Sequence, residues 1–145
     1  MRSILALALI LRLVVPLAGY WVHGSWEGSM APDSTRYLHL SQALASGGTF
    51  TYQGNPEILR TPGYPAFLSL MPAGHPGWVI LAQALLSVLT VWMTAKLAVS
   101  MGVSPLGGRA AALLLALEPL SMAYAGFILT ETLFSVLVVA AILLL

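Results

Sequence analysis

Residues 33–65, DSTRYLHLSQALASGGTFTYQGNPEILRTPGYP, form a polar segment set between two very apolar ones, and the rest of the chain is best interpreted outward from them. The chain has eleven Asp, Glu, Lys and Arg residues, and four of them lie in this segment: Asp33, Arg36, Glu57 and Arg60. A loop of this length is usually functional or disordered, and its regularly spaced apolar residues argue against disorder. We therefore expect the functional residues of the chain here.

The polar segment itself is predicted to contain two short helices. Tyr37, Leu40 and Leu44 follow a helical spacing, which predicts an amphipathic helix over residues 33–45 in the membrane interface. The Gly-Gly pair that follows should end this helix. A second short helix is predicted to begin after Pro65.

The composition on either side of this segment is that of an integral membrane protein. The chain is 59% hydrophobic and 8% charged, against roughly 25% charged residues in a soluble domain, and its mean hydropathy is +0.89. Its net charge of +1 provides no basic surface, so a nucleic-acid partner is not expected. The absence of cysteine excludes disulfides and thiolate metal sites.

The apolar segments predict an all-α fold, a polytopic membrane helix bundle in which residues 1–145 form one unit. Four spans are expected, at residues 3–22, 78–99, 106–123 and 129–145. A long outer loop, residues 23–77, separates the first two spans and contains the short interfacial helices. The helix of the third span should end near Glu118-Pro119, because proline disfavours a helical conformation in the residue before it.

The two ends of the chain raise separate questions. A cleaved signal peptide is the alternative for the first span, but the apolar run is too long and Arg12 would lie inside its core. We therefore expect an uncleaved anchor helix. The chain stops within the apolar run FSVLVVAAILLL, so we expect a truncated piece of a longer domain.

The basic residues indicate the orientation in the plasma (inner) membrane. Arg2, Lys96 and Arg109 lie at the N-terminus and around the short second loop, which the positive-inside rule places in the cytoplasm. The first loop is then outside. All five acidic residues are expected at the outer side: Glu27, Asp33, Glu57, Glu118 and Glu131.

Two of these acids have competing interpretations. Asp33 could cap the first loop helix, since Asp is a preferred N-cap residue, or its carboxylate could accept a proton from an attacking hydroxyl. Glu131 could simply favour the positive end of the last helix, with Thr130 or Thr132 as the cap. Glu118 is most simply a solvated helix end, and its role stays open.

Two arginines are also notable. Arg60 begins RTPGYP, where a planar guanidinium held by a stiff turn suits phosphate oxygens; the alternative is a surface arginine at headgroup level. Arg12 lies mid-span, where insertion costs about 2.5–3.5 kcal/mol, so it should face protein, a cavity or a lipid phosphate. Snorkelling to the nearer boundary is the alternative.

The order of these motifs carries more information than any one of them. An anchor helix is followed by DSTRYLHLSQALASGGTF, then RTPGYPAFLSL, a span, a short basic loop and ALEPLSMAYAGFILTETLFSVLV. This series resembles the N-terminal part of the C-type membrane glycosyltransferases, in the protein-mannosyltransferase-like group that also contains aminoarabinose transferases. The resemblance covers nearly all of the chain.

The resemblance implies an inverting transfer of a sugar from a polyprenyl-phosphate donor to a lipid, glycan or protein acceptor outside the membrane. It makes Asp33 and Glu131 the catalytic candidates and Arg60, Arg36 and Tyr64 the substrate-binding candidates, with membrane lipids as further partners. A divalent metal stays an open question. The alternative is a non-catalytic membrane protein, such as a transporter fragment or a small assembly subunit; the acids at one boundary favour the enzyme.

Overall fold

The structure, a computed structural model, describes residues 1–72 and 74–145 and is mostly helical, at 72% helix. The helices of the described residues are α1 (Arg2–His23), α2 (Ser34–Ala45), α3 (Gly63–Ser69), α4 (Pro76–Ser100), α5 (Pro105–Leu117), α6 (Pro119–Gly126) and α7 (Glu131–Leu143). A 3-10 turn at Glu27–Ser29 and a small hairpin, β1 (Thr51–Tyr52) and β2 (Asn55–Pro56), complete them.

Two helices, α1 and α4, are long and apolar enough to cross a membrane, and α5 with α6 forms a third candidate if the bent pair is one span. The 55° bend falls at Glu118, whose extended backbone is the conformation that Pro119 favours in the residue before it. α7 has 13 residues, against about 20 for a full crossing. Among the described residues the predicted fourth span is therefore not confirmed.

α4 lies at the centre of the bundle and packs against α1, α5 and α7. Its seam with α5 is built from small residues: a Cβ added at Gly108 would lie 2.9 Å from the carbonyl oxygen of Ala95. Ala112 and Ala116 continue the seam, fully buried beside Val91. Small side chains allow helix backbones to approach closely, and this packing holds apolar helices together where water supplies no driving force.

The two loop helices form where the sequence predicts them, with one shift. α2 turns Tyr37 and Leu40 inward, and the Tyr37 ring meets Tyr64 of α3 edge-on, with centroids 5.0 Å apart. α3 begins at Gly63 and not after Pro65, because proline is tolerated in the first turn of a helix, where its missing N–H has no intrahelical partner to lose. The pair packs against the start of α4 and the turn before α7.

The hairpin between α2 and α3 was not predicted. Gln53 and Gly54 form its turn with φ of 51° and 81°, and two successive positive φ angles are typical of the type I′ turn that matches the twist of paired strands. The hairpin delivers the chain to Glu57, whose N–H donates to the carbonyl of Phe50 at 3.0 Å. It thereby fixes the position of the acid that follows it.

Candidate functional site

Asp33 and Arg60, which are 27 residues apart in sequence, form an ion pair. Arg60 Nη2 donates to Asp33 Oδ1 at 2.5 Å, and both side chains stay partly exposed, 31% for Arg60 and 43% for Asp33. Asp33 occupies the N-cap position of α2, but its side chain makes no capping hydrogen bond. The capping interpretation is therefore wrong for this carboxylate, which binds an arginine.

The guanidinium of Arg60 is only partly satisfied. Its Nε is buried without a hydrogen-bond partner among the described residues, and its Cζ lies 5.8 Å from the Tyr37 ring centroid. The hydrogen bond to Asp33 raises the pKa of Arg60, which keeps the guanidinium charged. A buried N–H without a partner costs free energy, so this placement of the Arg60 Nε is unfavourable in itself.

A second ion pair joins Arg36 to Glu57, with Arg36 Nε donating to Oε2 at 2.5 Å. The other Glu57 oxygen accepts from the backbone N–H groups of Leu59 at 2.7 Å and Arg60 at 3.1 Å. Burial would raise the pKa of Glu57, but the Arg36 bond and these two backbone bonds together hold it below its usual value. The Arg36 guanidinium also lies over the Tyr52 ring, 4.7 Å from its centroid.

Glu57 was not among the residues that the sequence suggested for the site. Its neighbours Ile58 and Leu59 are exposed and apolar, and nothing in the local sequence marks an acid that turns back into the protein. The signal lies in its pairing with Arg36, which is 21 residues away and depends on the hairpin.

Tyr64 lies beneath these pairs and is only 3% exposed. Its hydroxyl donates to Gln83 Oε1 at 2.5 Å, and Gln83 Nε2 donates to the carbonyls of Phe127 at 2.6 Å and Ala125 at 3.3 Å. Burial raises the pKa of Tyr64, and the charge of Glu131 raises it further. Tyr64 thus packs against Tyr37 in the site and, through Gln83 of α4, links α3 to the turn before α7.

Glu131 begins α7, as the sequence suggested, but neither nearby threonine caps that helix through its side chain. The Thr130 hydroxyl lies 3.4 Å from Glu131 Oε2. Glu131 lies close enough to Tyr64 for its charge to act on that hydroxyl, and it lines a pocket between α4, α6 and α7. It makes no hydrogen bond or ion pair with Asp33 among the described residues.

Arg12 is fully buried inside the bundle. Its five N–H groups donate to two hydroxyls and three main-chain carbonyls: Ser87, Ser121, Ala8, Leu115 and Ala116. The expectation that Arg12 faces protein is confirmed, and the snorkelling alternative is wrong. The carbonyls of α5 are free to accept because the helix ends there.

Glu118 lies in the same region. Its carboxylate caps α6, accepting from the N–H groups of Leu120 at 2.9 Å and Ser121 at 2.5 Å. The Ser121 hydroxyl in turn accepts a hydrogen bond from Arg12 Nη2 at 3.1 Å. Because Arg12 lies at the middle of α1, Glu118 is level with the middle of that helix, and its partly exposed side chain marks the end of α5.

The candidate site thus consists of two ion pairs in the polar segment, a buried Tyr64–Gln83 link beneath them, and Glu131 beyond it. Within residues 1–72 and 74–145, no group of three His, Asp or Glu side chains is placed to hold a metal ion. No protein-family model, curated protein or solved structure matches the chain.

Proposed function

We propose that the chain is the N-terminal part of an inverting glycosyltransferase of the plasma (inner) membrane. It would transfer a sugar from a polyprenyl-phosphate donor to a lipid, glycan or protein acceptor. In this proposal α1, α4, the α5–α6 pair and α7 are four spans, the N-terminus is cytoplasmic and residues 23–77 form the outer loop. The observation that carries the proposal is the ion pair between Asp33 and Arg60.

The pair brings together the two groups that such a transfer needs. The acceptor oxygen attacks the anomeric carbon, the bond from that carbon to the phosphate oxygen breaks, and the acceptor proton passes to a carboxylate. Asp33 is exposed enough to take that proton, and the partly exposed guanidinium of Arg60 supplies positive charge for the departing phosphate. Phosphate binding at Arg60 would compete with Asp33 for the guanidinium and so free the base.

The remaining residues have supporting roles in this proposal. Arg36 is held by Glu57 and keeps a positive charge beside the donor phosphate. Tyr64 packs against the Tyr37 ring, and this ring in turn faces the guanidinium of Arg60. Glu131, on the far side of Tyr64, is the second acid and would act on the sugar.

Asp33→Asn tests the proposal, because it removes the carboxylate base while keeping size and shape. We expect sugar transfer to fall by about 10²–10⁴-fold, the usual loss on removing a general base. Transfer is measured in membranes containing the full-length gene product, with a panel of radiolabelled polyprenyl-phosphate hexoses and pentoses as donors. Since Asp33 makes no capping bond, α2 should persist in the variant.

Glu27→Gln is the matched control, since Glu27 is an exposed acid with no side-chain hydrogen bond or ion pair among the described residues. It should transfer sugar at the wild-type rate. Near-normal turnover by Asp33→Asn, at equal expression, would remove Asp33 from the catalytic role.

The second candidate is a non-catalytic membrane protein of the transporter type. The observation in its favour is the broken α5–α6 helix, with Arg12 and Glu118 level with the middle of α1 and α4. Transporters commonly place binding groups where a helix is interrupted near the membrane midplane. Absence of sugar transfer by the wild-type protein from every donor in the panel would favour this candidate.

A further inference from the structure

The turn before α7, residues 127–130, connects α6 to α7 and leads directly to Glu131. It is neither helix nor strand, so its peptide groups need partners outside regular structure. Those partners come from three separate elements: the 3-10 turn, α2 and α4. One of these elements, α2, begins immediately after Asp33, the other acid of the proposed transfer.

Ser34, the first residue of α2, binds this turn directly. Its hydroxyl donates to the carbonyl of Ile128 at 2.8 Å and accepts from the N–H of Ala31 at 2.8 Å. The Ile128 N–H donates in turn to the carbonyl of Ser29 at 3.1 Å. Because Ser34 and Ile128 are both 0% exposed, water does not compete for the hydrogen bond between them.

Gln83 holds the same turn from α4. Its Nε2 donates to the carbonyls of Phe127 at 2.6 Å and Ala125 at 3.3 Å, and its Oε1 accepts from the Tyr64 hydroxyl. Gln83 is also fully buried. The turn before α7 is therefore fixed to α2 on one side and to α4 on the other.

The hydrogen bond from Ser34 to Ile128 ties the two acids to each other over short lengths of chain. Asp33 is the residue before Ser34, and Glu131 is the third residue after Ile128. Since a chain spans at most about 3.3–3.6 Å per residue, neither acid can move far from this bond. Its loss would let the first residue of α7 shift relative to the start of α2.

We propose that Ser34 is a positioning residue, which holds Glu131 in its working place relative to Asp33 through the turn before α7. Gln83 is the second support of the same turn. This role rests on the proposed function, in which both acids act in sugar transfer. The one O–H of Ser34 is used on Ile128, so Ser34 acts on the reaction through Glu131 and not by donating to the substrate.

Ser34→Ala tests this role through kcat and the donor KM, in membranes containing the full-length gene product. The donor is the radiolabelled polyprenyl-phosphate sugar that the wild type uses. We expect kcat to fall by about 10–10²-fold, because a misplacement of about 1 Å can cost 10²-fold. The donor KM should stay unchanged, because Arg36 and Arg60 keep their ion pairs.

Ser41→Ala is the matched control. Ser41 is a buried serine of the same helix, 6% exposed, and its hydroxyl donates to the carbonyl of Leu38 within α2. This variant loses a hydrogen bond of similar length that does not reach the turn before α7, so it should transfer sugar at the wild-type rate.

A double-mutant cycle distinguishes positioning from a general loss of folded protein. In a Glu131→Gln background, Ser34→Ala should lower kcat by no more than about twofold, because the group that it positions is gone. A loss of folded protein would lower kcat by the same factor in both backgrounds. Ser34→Cys, whose thiol is a weaker donor, should have a kcat between those of the wild type and Ser34→Ala.

Hydrogen exchange of the purified full-length protein gives a measurement that does not depend on sugar transfer. Loss of the bond from Ser34 to Ile128 should speed the exchange of the amides of residues 127–131 by about 2–10-fold, which corresponds to one hydrogen bond. Exchange in this segment should not change in Ser41→Ala.

Three results would overturn the positioning role and leave the proposed function standing: an unchanged kcat in Ser34→Ala, an equal loss of kcat in both backgrounds, or unchanged exchange at residues 127–131. Absence of transfer by the wild type would overturn the proposed function, and the positioning role with it. The two failures are therefore distinguishable.

Discussion

Arg12 is accommodated inside an apolar bundle without any carboxylate of the described residues within ion-pair distance. Its partners are two hydroxyls and three carbonyl oxygens, of which those of Leu115 and Ala116 are at the C-terminal end of α5. A helix carries partial negative charge at that end. The proline that ends α5 thus also creates the acceptor for the arginine.

Arg12→Leu should therefore lower the free energy of unfolding by about 1–3 kcal/mol, because it leaves buried hydroxyl and carbonyl oxygens without a donor. Unfolding is followed by circular dichroism of the detergent-solubilised chain during titration with denaturant. Arg109→Leu is the control, since Arg109 is exposed and makes no ion pair among the described residues. Equal stability of the two variants would contradict the structural role of Arg12.

The elements of the polar segment are joined by charge as well as by packing. Glu57, after the hairpin, binds Arg36 of α2 with one oxygen and the N–H groups that lead into α3 with the other. One carboxylate therefore sets the separation of α2, the hairpin and α3. The Asp33–Arg60 pair closes the same segment from the other side.

This arrangement predicts a pH dependence. The folded pKa of Glu57 lies below its ordinary value of 4.5, so its stabilisation is present above that value and is lost as the pH falls through the folded pKa. Glu57→Gln should lower Tm at pH 7, and the difference from wild type should shrink as the pH falls below 4.5. Thermal scans across this range check it, with Glu27→Gln as control. A Tm difference that does not depend on pH would contradict the charge-based role.

The positions of helices were predictable where they depend on nearby residues, whereas the contacts between residues far apart in sequence were not. The spacing of Tyr37 and Leu40 predicted α2, and Pro119 predicted the end of α5, because each effect operates within a few residues. Arg12, in contrast, binds Ser121 across 109 residues, and no local pattern encodes that distance. The Asp33–Arg60 pairing was missed for the same reason, since spacing alone suggested a cap.

At the scale of the whole molecule, polar groups extend from the loop into the bundle along α4. The Asp33–Arg60 pair lies above Tyr37 and Tyr64, and the Tyr64 hydroxyl reaches Gln83 of α4. One turn further along α4, the Ser87 hydroxyl accepts a hydrogen bond from Arg12 Nε. The loop and the membrane-facing helices are thus connected by hydrogen bonds as well as by apolar packing.

The proposed orientation predicts that the loop bearing these pairs is outside the cell. Cysteine introduced at the exposed Ser46 should react with an impermeant thiol reagent in intact cells, and the chain has no native cysteine to interfere. Val103→Cys, in the exposed turn between α4 and α5, should react only after the membrane is opened. The reverse pattern of labelling would invert the topology.

The way in which Arg12 is satisfied has a consequence for the biosynthesis of the protein. Translation makes α1 first, yet Ser121 follows Arg12 by 109 residues. At about 5–20 residues per second the ribosome needs roughly 5–20 s to supply that partner. A lone arginine at mid-bilayer costs about 2.5–3.5 kcal/mol, and in the proposed topology Ser121 does not yet offset this cost during the interval. The hydrogen bonds that satisfy Arg12 are thus completed by segments that have not yet been translated when α1 first reaches the lipid.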